Sequence, residues 1–154
     1  MKSYSDPRMH TAEHLLNATM VKLFGTERSF RAHIEKKKSK CDYLFHRDLS
    51  DDEAAAVEQA VRRQIEEDLP VREEFLSREE AVRKEEAGEL SLKKLPDTAD
   101  NNIRIISIGD YDAVPCIGTH VSSTGEIGAF SISSRSFNDG VLRLRFKLDR
   151  KSVV

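Results

Sequence analysis

Apolar positions along this chain follow two rhythms, one helical and one alternating. Residues 10–24, HTAEHLLNATMVKLF, carry Leu15, Leu16, Val21, Leu23 and Phe24 as a broad apolar surface, and Gly25 supplies a stop. Residues 50–68 give a cleaner helix. Ala54, Val57, Val61 and Ile65 fall on one stripe, Ser50 with Glu53 forms a capping box, and Pro70 follows the end. Ser77 with Glu80 opens another helix, running to about Ala87, with Gly88 as its stop.

Alternation marks the strands. Phe30, Ala32 and Ile34, then Cys41, Tyr43 and Phe45, predict two antiparallel strands around a lysine run. Residues 71–76 and 103–108 read as strands, and residues 96–102 as a loop. Residues 116–128 are rich in Gly, Ser and Thr and read as a loop. Strands over 129–133 and 141–148 are joined through Asn138-Asp139-Gly140, a hairpin signal. The order helix, strands, helices, strands predicts an α+β fold, with helices packed on a mainly antiparallel, curved β-sheet. At 154 residues the chain reads as a single domain over 1–154, too short for a whole synthetase, polymerase or kinase.

Composition adds limits. Hydrophobic residues are 38% and charged residues 34%, which suits a globular chain without a membrane span. The first residues have no apolar stretch of the signal-peptide kind, and two cysteines, Cys41 and Cys116, are too few for a disulfide scaffold. A reduced, cytoplasmic protein is expected. The net charge of −2 announces no nucleic-acid partner, but it is an average. Residues 51–90 hold 14 acidic against 6 basic side chains, whereas Arg31, Lys36, Lys37, Lys38 and Lys40 crowd one short segment. Residues 135–154 hold six bases against Asp139 and Asp149. Only the fold decides whether the basic segments converge.

His10 and His14 lie four apart on the first predicted helix, one turn apart on one face. Cys116 and His120 form a second pair, C-x-x-x-H, about a hundred residues later. Each pair alone is weak. Together, three imidazoles and a thiolate make a tetrahedral zinc set, the alternative being a buried cysteine beside ordinary histidines. The first pair is not the H-E-x-x-H of metalloproteases, because Thr11 follows His10; Glu13 is expected to face solvent. His33 and His46 read as surface residues.

Two segments carry a family resemblance: Arg8-Met-His-Thr-Ala-Glu-His-Leu-Leu16 and the stretch from Gly109 to Gly128, GDYDAVPCIGTHVSSTGEIG. They resemble the editing domain of alanyl-tRNA synthetase and its free-standing AlaX-type trans-editing relatives. The segments KSKCDY (38–43) and GVLRLRF (140–146) are similar to further strands of that module, so the resemblance spans about residues 8–148. It implies a Zn2+ site formed by His10, His14, Cys116 and His120, through which a mischarged tRNA, Ser-tRNA(Ala) or Gly-tRNA(Ala), is deacylated at its acceptor end. A pocket made for alanine cannot strongly reject serine or glycine, so a second site must remove the errors. Thr11, Asp42 and Thr119 are the polar candidates for the substrate; Arg31, Lys36, Lys37, Lys38, Lys40, Arg143 and Arg145 are the candidates for the tRNA, with Arg143 and Arg145 on one strand face. The acidic helices over 50–90 are expected to face away from the RNA.

There are departures. Ile117 stands where the synthetase version has a glycine, and is expected to narrow the pocket; residues 26–33, TERSFRAH, lack the glycine of a Gly-Ser turn. An editor of another misacylated tRNA, such as Ser-tRNA(Thr), and a non-catalytic zinc-containing tRNA-binding module remain alternatives. Oligomeric state is not legible.

Overall fold

A computed structural model describes residues 6–90 and 102–149; most of the loop expected over 96–102, and the bases Arg150 and Lys151, lie outside the described residues. The first helix, α1 (Pro7–Phe24), starts one turn earlier than its apolar pattern suggests. Asp6 caps it, accepting from the amides of Arg8 and Met9 at 3.0 and 3.3 Å, and Pro7 occupies its first turn. Gly25, at φ +68°, ends it in the left-handed region.

The helix is enclosed on most sides. Met9, Ala12, Leu15, Leu16 and Met20 are fully buried, whereas Val21 and Leu23, expected on the apolar face, are exposed. Each large buried side chain contributes about 1.5–3 kcal/mol relative to exposure. The second helix, α2 (Asp51–Glu66), buries the single stripe Ala54, Val57, Val61 and Ile65 and has the expected capping box. Helix α3 (Arg78–Glu86) has the second box and buries only Ala81.

Among the described residues, seven strands form two antiparallel sheets rather than one. The first, in the order β1-β2-β7-β6, joins β1 (Arg31–His33), β2 (Lys38–Leu44), β7 (Val141–Asp149) and β6 (Ala129–Asn138). Strands β6 and β7 meet at a two-residue turn with Asp139 at φ +52° and Gly140 at φ +78°, the mirror-image geometry that suits a right-handed twist. The second sheet, β3-β4-β5, joins β3 (Val71–Leu76), β4 (Ile103–Ile108) and β5 (Asp112–Pro115). Strand β5 is missing from the sequence reading because its four residues end in proline.

Cys41, Tyr43, Leu142, Leu144 and Phe146 on the first sheet share one buried cluster with Met9, Leu15, Leu16 and Met20 of α1 and Val57 and Val61 of α2. The helices therefore cover one face of that sheet. Cys41 and Cys116 are not joined in a disulfide. Among the described residues, no helix is long and apolar enough to cross a membrane.

Candidate metal centre

Three structural pieces converge at the start of α1. The helix supplies His10 and His14; β5 runs into the loop that supplies Cys116 and His120; a single 3-10 turn, Thr124–Ile127, closes behind them. Arg8 holds that turn to the helix, donating from Nε and Nη2 to the Ile127 carbonyl at 3.0 and 2.6 Å. Arg104 on β4 holds the loop, donating from Nη1 to the carbonyls of Cys116 and Gly118 at 2.9 and 2.8 Å.

The potential ligand atoms of His10, His14, Cys116 and His120 all lie within 4.8 Å of one another. Cys116 Sγ is 3.5 Å from Nε2 of His10 and 3.5 Å from Nε2 of His120. Metal–nitrogen and metal–sulfur bonds of about 2.0 and 2.3 Å at a tetrahedral angle give an N···S edge of about 3.5 Å. The four side chains can hold a metal ion without rearrangement of those two edges.

Each imidazole is oriented through its other nitrogen. His10 Nδ1–H donates to the Thr119 carbonyl at 3.0 Å, which leaves Nε2 as the lone pair. Thr11 spends its proton on the Pro7 carbonyl at 2.8 Å, so its oxygen accepts from Nδ1–H of His120, 2.9 Å away, and from the Val121 amide at 3.2 Å. His14 Nδ1 lies 3.4 Å from Asp112 Oδ2, an ionic contact outside hydrogen-bond geometry. Asp112 is itself gripped by Arg28 at 2.8 and 3.1 Å. This is the second-sphere pattern of carbonyl, hydroxyl and carboxylate behind ligating histidines.

The charges agree. Burial opposes charge on His14, but Asp112 and Cys116 outweigh it and raise its pKa to about 9. Burial pushes the Cys116 thiol up, yet the three imidazoles bring it down to about 3. His120 falls to about 4, through burial and the neighbouring histidines. Burial pushes the Asp112 carboxyl up, but His14 and Arg28 hold it below the usual range. Without metal the site is a thiolate beside an imidazolium; the proton on His14 occupies the place in the charge balance that a cation would take.

The other residues named from sequence divide. Thr119 is exposed on the loop at the site. Thr11 is fully buried and its hydroxyl is committed, so it orients His120 rather than meeting substrate. Asp42 is not brought to the cluster: it is clamped by Arg31 Nε at 2.7 Å and by Arg143 at 2.7 and 3.0 Å, on the sheet face away from α1. Ile117 is 96% exposed and does not narrow the site. Glu13 is turned inward, not to solvent: Oε1 lies 3.9 Å from His10 Nε2 and Oε2 accepts from Asn17 at 3.4 Å. Three positions separate it from His10, which returns it to the same helix face. Asp112 was missed. Its signal was parity, since Asp112, Val114 and Cys116 are spaced two apart.

The basic residues do converge, elsewhere. Register pairs Arg31 with Asp42, Lys40 with Arg145 and Asp42 with Arg143, so these side chains share the outer face of the first sheet with Lys38. Lys36 and Lys37 are exposed in the turn between β1 and β2.

Residues 103–145 match the family described as threonyl and alanyl tRNA synthetase second additional domain. The wider chain is similar to alanine–tRNA ligases. It is 34% identical over 148 residues to that of Aeropyrum pernix and 35% identical over 146 residues to that of Fervidobacterium nodosum, each match covering 94% of this chain and 16% of the ligase. To the ligase of Treponema pallidum it is 34% identical over 143 residues, covering 92% of this chain and 23% of the ligase. The chain thus spans less than a quarter of the length of these relatives. The family match contains Asp112, Cys116 and His120; the longer similarity extends to most of the chain.

Proposed function

We propose that this chain is a zinc-dependent trans-editing deacylase of mischarged tRNA, cytoplasmic, acting foremost on Ser-tRNA(Ala) and also on Gly-tRNA(Ala). The observation that carries the reading is the convergence of His10, His14, Cys116 and His120, with His10 and His120 held by hydrogen bonds at their outer nitrogens and His14 beside the Asp112 carboxylate. The similarity to alanine–tRNA ligases supports the substrate class.

In this reading those four residues hold Zn2+, which when bound supplies Lewis acidity at the ester joining amino acid to ribose. The chain's own residues do the rest. Thr119 is at the exposed side, where it meets the serine hydroxyl. Thr11, the Thr119 carbonyl and Asp112 keep the three Nε2 atoms aimed inward. Arg31, Lys36, Lys37, Lys38, Lys40, Arg143 and Arg145 contact tRNA phosphates.

A panel of mischarged tRNAs incubated with zinc-loaded protein tests this. Release of serine from Ser-tRNA(Ala), abolished in Cys116→Ala, is the expected result. Two observations favour other readings. The matched family description includes the threonyl enzyme, which favours Ser-tRNA(Thr); its selective hydrolysis in the same panel would replace the alanine assignment. Four protein donors make a closed site of structural type, which favours a non-catalytic tRNA-binding module. No release from any tRNA by folded, zinc-loaded protein would establish that module.

A further inference from the structure

From Met9 to Met20 every residue of α1 is buried except Glu13. The exception falls between His10 and His14, inside the turn that supplies two of the metal-site imidazoles. The Glu13 side chain keeps 13% of its surface, against 3% for His10 and 6% for His14. A charged group therefore stands at the one opening in this stretch of the helix.

The carboxylate is short of partners. Oε2 accepts a long hydrogen bond from Asn17 Nδ2 at 3.4 Å, and Asn17 is itself fixed by accepting from the Ser29 amide at 2.9 Å. Oε1 accepts no hydrogen bond among the described residues. The basic atom in reach is His10 Nε2 at 3.9 Å, and that nitrogen has no hydrogen to give, because the ring proton sits on Nδ1 at the Thr119 carbonyl. No lysine or arginine among the described residues pairs with Glu13. Burial first, and then the Glu13 charge, push the Cys41 thiol up, so the neighbour on the first sheet is a neutral group. A mostly buried anion costs free energy unless it meets a cation.

Charge counting at the centre points to the occupant. Three neutral imidazoles, one thiolate and a divalent cation sum to one positive charge. Asp112 does not offset it, being gripped by Arg28. A cationic group approaching that centre is repelled unless an anion stands beside the ligands where the site can be reached. Glu13 is so placed.

We infer that Glu13 is a substrate-binding residue, whose Oε1 accepts a charge-assisted hydrogen bond from the α-ammonium of the amino acid esterified at the metal centre. This rests on the deacylase reading. A free α-ammonium is what separates an aminoacyl ester from a peptidyl one, in which the same nitrogen is an uncharged amide. The carboxylate therefore admits aminoacyl esters and disfavours N-acylated ones, which leave Oε1 unpaired.

The test uses the zinc-loaded full chain and two amides of 3′-amino-3′-deoxyadenosine, which replace the labile ester. One is the seryl amide; the other has a hydroxyl in place of the α-amino group. Binding is measured by titration calorimetry at about pH 6.5, below the α-amino pKa of about 8. The parent is expected to prefer the seryl amide at least about ten-fold. Glu13→Gln keeps the shape of the side chain and an acceptor for Asn17. It is expected to bring the preference below about two-fold by weakening the seryl amide alone, with zinc affinity and melting temperature unchanged. No binding of either amide by the parent, or a preference that survives in Glu13→Gln, overturns the proposal. A fall in zinc affinity of more than about ten-fold in Glu13→Gln also overturns it, in favour of a role on the metal. Loss of the preference as expected, with no mischarged tRNA hydrolysed by the parent, upholds it and removes the deacylase reading alone. Hydrolysis of Ser-tRNA(Ala) with the preference intact in Glu13→Gln does the reverse.

Discussion

Thr11 and His120, 109 positions apart in sequence, meet at 2.9 Å, and the proton bookkeeping of that contact fixes the imidazole tautomer. Thr11 has already given its hydrogen to Pro7, so it can only accept, and Nε2 of His120 is left for the centre of the cluster.

Thr11→Val keeps the shape of the side chain and removes the acceptor. The His120 Nδ1–H and the Val121 amide lose their partner in a buried place. The expected outcome is a stability loss of about 1–3 kcal/mol in chemical denaturation. Zinc affinity should fall about 10- to 100-fold in a chelator competition.

Acid should weaken the metal-free protein in a defined window. In the unfolded chain His14 and His120 titrate near 6.5 and Cys116 near 9. The raised pKa of His14 gives stability that is present below 6.5 and lost as pH rises through about 9. The lowered pKa of Cys116 gives stability present above 9 and lost as pH falls toward about 3. Between 6.5 and 9 these offset, because folding adds a proton to His14 and takes one from Cys116. Below 6.5 the His14 contribution is constant, Cys116 continues to lose, and His120, which resists protonation until about 4, loses as well. The melting temperature of chelator-treated protein should be flat from about 6.5 to 9 and fall as pH drops from 6.5 to 4. A maximum at pH 5 would contradict the charge assignment.

Metal loading should release a proton. His14 is an imidazolium in the metal-free protein at neutral pH and must be neutral to ligate, while Cys116 is already a thiolate. Titration calorimetry at pH 7.5 in buffers of different ionisation enthalpy should give release of about one proton per zinc, not two. In His14→Ala that proton should disappear.

Ile117→Ser tests where a side chain points. Ile117 is almost wholly exposed, so stability should change by no more than about 0.5 kcal/mol, and zinc affinity should hold. A large loss of either would return the side chain to the site.

Much of this was legible locally. Ser50–Glu53 and Ser77–Glu80 are short-range devices, and both form as read. The Asp139-Gly140 turn needs only two residues able to take positive φ. The two ligand pairs were legible as pairs because i, i+4 spacing on a helix and C-x-x-x-H in a loop each set their own geometry. Strand β5, the buried Asp112 and the inward turn of Glu13 were not. Each depends on what packs against it, and a four-residue strand ending in proline carries too little pattern to announce a partner.

The sequence by itself determined the helices, their caps, the hairpin turn and the residue types able to bind a metal, because those follow from interactions within a few residues. Tertiary structure alone decided that Asp112, Thr11 and a backbone carbonyl stand behind the three imidazoles, and that Asp42 serves arginines on the far face. It also brought like charges together across β2 and β7. Side-chain parity within a strand can be read along the chain, but which strands pair, and which face a helix covers, is settled by burial of the shared core.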